Sequence, residues 1–112
     1  PGMLEGESVF SEGTAYWVNG TEVAHFIDGD RMELRLTKPV IRGMRAGLKA
    51  DSRVELRSSS SDWIIVLVRH GGDFAFVVDL AQRAVAAHLP PDGAAPKLPP
   101  TGADLERRRR FH

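Results

Sequence analysis

Hydrophobic and polar residues alternate in the early part of the chain in a way that is typical of β-strands. Residues 31–36, RMELRL, place Met32 and two leucines on one side and charged residues on the other, which predicts a half-buried strand. Upstream, Asn19-Gly20 tolerates the positive φ values of a two-residue hairpin turn, so residues 15–18 and 21–27 are expected to pair. The pattern therefore predicts three consecutive antiparallel strands.

His25 lies in the middle of the second of these strands, and its environment depends on the register. A two- or four-residue turn after the strand places His25 and Val23 on the buried face of Met32. A three-residue turn would place Ala24 and Phe26 there instead, because a shift of one residue exchanges the two faces of a strand. The alternation of side chains, counted from the Asn-Gly turn, favours the first arrangement, so we expect His25 on the face of Met32.

A short helix is predicted directly after the third strand. Thr37 is a possible N-cap, and Pro39 stands in the first helical turn, where its missing N–H costs nothing. We expect this helix to cover residues 39–46 and to end at Gly47.

Two further strands and a longer helix follow. Residues 53–57 alternate again, whereas residues 62–69, DWIIVLVR, are almost continuously apolar and predict a central strand buried on both faces. Asp73 is a plausible N-cap for a helix that extends to His88, with apolar residues at helical spacing. The β-branched and aromatic content of FAFVV leaves open a strand at this point, with the helix beginning near Asp79.

These elements predict an α+β fold with an antiparallel sheet of about five strands. A C-terminal helix covers one face of the sheet, and the short helix follows the third strand. We expect a single domain over residues 1–89. Five of the seven prolines lie between residues 90 and 100, so residues 90–112 are interpreted as a Pro-rich, Arg-ending C-terminal tail.

Composition narrows the classes of function. The chain of 112 residues is 42% hydrophobic and 27% charged, close to the globular average, and it has no cysteine, which excludes disulfides and thiolate chemistry. It has no apolar run of membrane-spanning length and no signal-peptide pattern, so we expect a cytoplasmic protein with no membrane contact. The net charge is zero, yet the first 30 residues carry acids and no Lys or Arg. The charge-complementary ends suggest a homo-oligomer.

Three stretches of the sequence together resemble a known family. EVAHFIDGDRMELRL, residues 22–36, followed by Pro39-Val40 and by SDWIIVLVR, residues 61–69, is similar to the small uncharacterised family of luciferase-like domain proteins. Shared features are an aromatic-small-His strand, an Asp/Gly turn, a Ser-x-Trp strand and a final helix. The layout also resembles the MmcQ/YjbR-like fold, an α+β module for which nucleic-acid binding has been proposed.

The resemblance places His25 and Trp63 at matching positions of the luciferase-like family. Many relatives carry a second histidine where this chain has Ile27, so the two-histidine site that the resemblance implies is incomplete here. Nothing in these residues implies light emission.

The chemistry of His25 can be interpreted in two ways. A buried histidine needs a partner for each ring nitrogen, and Glu22 would lie on the opposite face of a regular strand. His25 is therefore either a core residue with backbone partners or an acid–base or ligand-contacting group in a pocket. The four histidines lack HxH or HxxxH spacing, so we expect no metal site and no cofactor.

The basic run at the end of the chain suggests a different class of function. Its members are Arg107, Arg108, Arg109 and Arg110. Together with Arg31, Arg35, Arg53 and Arg57, they would form an Arg-rich surface for nucleic acid or a protein partner. The serines at 58–61 lack an adjacent base, and HGGD at 70–73 lacks the length and lysine of a phosphate-binding loop, so both are interpreted as turns.

We therefore expect a non-catalytic accessory or small-ligand-binding module. Its pocket would be lined by His25, Tyr16, Met32 and Trp63. One alternative is a nucleic-acid or protein interaction module that uses the Arg-rich surface and tail, and a second is a small enzyme with His25 as general base.

Overall fold

The six strands of the protein form one antiparallel sheet in the described residues. A computed structural model describes residues 3–10, 13–58, 60–69, 71–91 and 94–111. The strands are β1 (Leu4–Glu7), β2 (Thr14–Val18), β3 (Thr21–Phe26), β4 (Arg31–Arg35), β5 (Val54–Leu56) and β6 (Trp63–Leu67), in the spatial order β1-β2-β3-β4-β6-β5. With three helices, this confirms the α+β class. The prediction of about five strands omitted β1, which pairs with β2 at the edge of the sheet.

The hairpin between β2 and β3 has the predicted turn and an unpredicted bulge. Asn19 and Gly20 adopt φ values of 50° and 75°, as a type I′ turn requires. The register then shifts, since Trp17 lies opposite Glu22 whereas Tyr16 lies opposite Ala24. The extra residue, Val23, makes a β-bulge, and a bulge exchanges the faces of all later residues in its strand relative to a regular ladder.

The turn between β3 and β4 has three residues. The N–H of Ile27 donates to the carbonyl of Arg31 at 2.9 Å, and residues 28–30 form the loop. Phe26 consequently lies opposite Met32 and His25 opposite Glu33. The expected location of His25 on the face of Met32 is therefore wrong, because the three-residue turn inverts the parity on which that expectation depended.

Two helices cover the face of the sheet that carries Met32. They are α1 (Lys38–Ala50) and α2 (Asp73–His88). Leu80 and Ala84 of α2 are fully buried against Leu34 and Ile64 in the main core. The FAFVV segment belongs to α2, so the helical interpretation of that segment is confirmed.

The ends of both helices differ in detail from the sequence prediction. Helix α1 continues through Gly47 to Ala50, because Leu48 buries its side chain in the core. Thr37 makes no side-chain capping bond, and the Lys38 N–H donates instead to the Asp62 carboxylate at 2.9 Å. Asp73 is the first helical residue rather than the N-cap.

The C-terminal segment returns to the opposite face of the sheet. Residues 94–111 include helix α3 (Gly102–Arg110), whose Leu105 is 2% exposed. The Lys97 N–H donates to the Asn19 side-chain oxygen at 2.9 Å. Pro99 and Trp17 lie so close to Gly6 that a Cβ on Gly6 would approach each of them to 3.0 Å. The predicted tail thus packs along β1, β2 and the hairpin turn.

Candidate functional site

His25 lies on the face of the sheet opposite to α1 and α2, and it is 2% exposed. Its Nε2 is 3.1 Å from Glu33 Oε1, and its Nδ1 is 2.8 Å from Glu22 Oε2. The contact at Nδ1 has ion-pair distance but lacks the alignment of a hydrogen bond. The expectation that Glu22 lies on the other face is wrong, because the bulge at Val23 turns Glu22 to the same side as His25.

Both carboxylates are themselves held in place. The Ser8 hydroxyl and the Val9 N–H each donate to Glu22 at 2.6 Å, and the Arg57 guanidinium donates to Glu33. Burial lowers the pKa of His25, but the two carboxylates together outweigh burial, so its pKa is raised above the ordinary value of 6.5. The imidazole is therefore stabilised in its charged form between two carboxylates.

This geometry bears on general-base chemistry. A general base needs one ring nitrogen directed at the proton that it removes. Each nitrogen of His25 instead faces a carboxylate, and the Phe10 ring stacks on the imidazole with centroids 5.6 Å apart and an angle of 11° between the planes. The arrangement favours a structural role for His25.

Aromatic rings extend from His25 to the half-buried side chain of Arg35. The Trp63 ring is 5.0 Å from both the His25 and the Phe10 rings. The Arg35 guanidinium lies 4.6 Å from the Trp63 centroid and 5.3 Å from the Phe10 centroid, at cation–π distance from both. Ser8 orients Phe10, because its hydroxyl oxygen accepts the Phe10 N–H at 3.0 Å.

The Arg35 side chain makes no hydrogen bond or ion pair within the part of the chain that the structure describes, and its Nε is buried. Burial lowers the pKa of Arg35, and the nearby charges of Asp62 and Glu22 oppose this effect. Partial burial removes water from a charged guanidinium, which costs free energy when no anion is hydrogen-bonded to it. Arg35 could therefore donate hydrogen bonds to an anionic partner.

Arg35 lines a cleft of about 400 Å³ between the sheet and the C-terminal helix, which we call the Arg35 cleft. The residues that also line the cleft include Phe10, Trp17, Glu22, Arg108 and Phe111. His25 does not line this cleft. Arg108 lies 5.6 Å from the Trp17 ring centroid and donates to the Gly20 carbonyl at 2.8 Å, which fixes this wall of the cleft.

The structure brings together only part of the predicted ligand-binding set. His25 and Trp63 are in contact, whereas Tyr16 and Met32 lie on the opposite face and pack in or against the main core. The sequence interpretation missed Phe10, Trp17 and Phe111. The alternation of RMELRL does place Arg35 on the face away from Met32, but no local pattern joins it to Phe111.

The basic residues are mostly engaged within the chain. Arg31, Arg53 and Arg57 pair with Asp28, Asp51 and Glu33, respectively. In the terminal run, Arg107 pairs with Asp104 and Arg109 with Glu106, and Arg109 also donates to the Ser8 carbonyl. Arg110 is exposed.

The remaining sequence candidates add no site. Ser58 and Ser60 lie within hydrogen-bond distance of each other, while Ser59 and His70 lie outside the described residues. In the described ranges no group of three or more His, Asp or Glu side chains could hold a metal ion. None of the helices in those ranges is long and apolar enough to cross a membrane.

No protein-family model matches the chain, and no curated protein or solved structure is detectably similar to it. The resemblance to luciferase-like proteins is therefore a proposal that rests on sequence motifs.

Proposed function

We propose that the protein is a small-ligand-binding module and that the ligand occupies the Arg35 cleft. The observation that supports this most strongly is the Arg35 guanidinium, which lies at the cleft, at cation–π distance from the Phe10 and Trp63 rings, and lacks a hydrogen-bonded anion among the described residues. An anionic group on the ligand would supply that partner. The volume of about 400 Å³ lies within the usual range for small-molecule sites.

The proposed function has no catalytic step. Both nitrogens of His25 face carboxylates, which argues against the general-base alternative. The nucleic-acid alternative has less support than ligand binding, because arginines that would form its surface are already paired with Asp28, Asp51 and Glu33. We also propose membership of the luciferase-like family. It is supported by the contact between His25 and Trp63, the two residues at the family's matching positions.

Ligand binding can be tested on the full chain, labelled with ¹⁵N, by screening a library of small fragments and following amide shifts. We expect hits to perturb the amides of Trp17, Arg108 and Phe111. Phe111→Ala should weaken these hits about tenfold, because a contacting ring contributes on the order of 1 kcal/mol or more. Phe111 is 86% exposed, so its removal should leave the fold intact.

Phe74→Ala provides the matched control. Phe74 is 65% exposed on α2 and does not line the cleft, so this variant should bind the same fragments as the unmodified chain. Hits that map to α2, or equal losses in both variants, would count against the Arg35 cleft as the ligand site.

A further inference from the structure

The charges around the Arg35 cleft define which ligands it can accept, and this inference rests on the proposed function. Four side chains behind the cleft neutralise one another when His25 is protonated, namely Glu22, His25, Glu33 and Arg57. They therefore contribute no net charge to the ligand, and Glu22, although it borders the cleft, has a side chain that is only 1% exposed.

Three further charges lie at the cleft or close to it. Arg35 and Arg108 line the cleft, and Asp62 acts electrostatically on Arg35. The Asp62 carboxylate accepts the backbone N–H of Lys38, a contact that leaves its charge uncompensated. Among the described residues, these two cations and one anion leave an excess of one positive charge at the cleft.

The walls of the cleft also restrict the shape of a ligand. Phe10 and Phe111 line the cleft with aromatic side chains, and Arg35 lies against the Phe10 ring at its edge of the cleft. A flat ring can stack on such walls, while its charged substituent reaches the guanidinium.

We infer that the Arg35 cleft binds a small planar organic monoanion, an aromatic carboxylate, with the carboxylate at Arg35 and the ring against the aromatic walls. A carboxylate matches the planar donor geometry of guanidinium. A phosphate monoester carries a charge of about −1.5 to −2 at neutral pH, which exceeds the excess positive charge of the cleft.

The test compares four probes by amide shift titration of the full chain: benzoate, benzamide, phenyl phosphate and acetate. We expect benzoate to bind in the millimolar range and the other three about tenfold more weakly. Benzamide keeps the ring without the charge, phenyl phosphate adds charge, and acetate lacks the ring. Arg108→Gln should weaken benzoate several-fold, whereas Arg110→Gln in the same helix, which does not line the cleft, should leave benzoate binding unchanged.

The possible outcomes separate the two proposals. If benzamide binds as well as benzoate, the cleft binds ligands but the charge inference is wrong. If phenyl phosphate or acetate equals benzoate, the single charge or the planar ring, respectively, is refuted. If no probe shifts the amides that line the cleft, both the inference and the proposed function fail.

Discussion

Replacing Glu22 by glutamine should reveal how much the buried charges stabilise the fold. Glu22 is 2% exposed and accepts hydrogen bonds from the Ser8 hydroxyl and the Val9 N–H, while its Oε2 contacts His25. Glu22→Gln has nearly the same shape but removes the negative charge. The substituted amide retains one oxygen for Val9, and its NH₂ group must then face the serine oxygen or the imidazole.

The expected loss of unfolding free energy comes from the contacts that Glu22 makes as a charged acceptor. A hydrogen bond to a charged group contributes about 1.5–3 kcal/mol and a neutral one about 0.5–1.5 kcal/mol, so the two hydrogen bonds together lose about 2 kcal/mol. His25 keeps Glu33 as a partner, so the further loss is smaller than the roughly 3–5 kcal/mol of a fully broken buried pair. We expect Glu22→Gln to lower the free energy of unfolding by about 3 kcal/mol.

The loss of unfolding free energy caused by Glu22→Gln should depend on pH. The pKa of His25 is raised in the folded protein, so the stabilisation from its charge is fully present below its unfolded pKa of about 6.5. That stabilisation is lost as the pH rises through the folded pKa. Glu22→Gln should therefore cost more at about pH 6 than at about pH 9, and it should lower the pKa of His25.

Urea denaturation at both pH values measures the free energy, and an NMR titration of the His25 ring measures its pKa. Glu55→Gln is the matched control, because Glu55 is an exposed carboxylate of β5, and it should change stability by less than about 0.5 kcal/mol. If Glu22→Gln lowers the free energy of unfolding no more than this control and leaves the His25 titration unchanged, the pair of Glu22 and His25 does not stabilise the fold.

Three further changes test the structure around the site. Thr37 has a φ of 84°, which is strained for a β-branched residue, so Thr37→Gly should raise the melting temperature through a gain of about 1 kcal/mol. Asp62→Ala removes the cap of α1 and should lower the free energy of unfolding in urea by about 1 kcal/mol. Leu105→Ala should weaken the packing of α3 against the sheet by about 2–3 kcal/mol. The measurements are faster amide exchange in α3 and a red shift of tryptophan emission as Trp17 becomes exposed.

Each of these changes has a control in the same chain. Thr21→Gly, at the first residue of β3, should destabilise, and a gain there equal to that at position 37 would contradict the strain argument. Asp62→Asn keeps an acceptor and should retain most of the capping. Leu98→Ala, at a side chain that is 75% exposed, should leave amide exchange in α3 unchanged. If Leu105→Ala behaves like Leu98→Ala, α3 is held by its arginines rather than by its apolar contact.

Several elements of the fold follow from short stretches of sequence alone. Asn19-Gly20 specifies the hairpin, because both residues accept positive φ. The alternation at 31–36 specifies β4, and helical spacing of apolar residues specifies α2. The α+β class follows from their order. Edge strand β1 escaped prediction because LEGE has little apolar alternation and depends on its pairing with β2.

The candidate site, in contrast, depends on contacts between distant parts of the chain. The bulge at Val23 and the three-residue turn at 28–30 together put His25 on the same face as Glu22 and Glu33, and no apolar period encodes either irregularity. The cleft is still less local, since Phe10 and Phe111 come from opposite ends of the chain. Period and turn chemistry act over a few residues, whereas a site of this kind exists only after the chain returns across its own sheet.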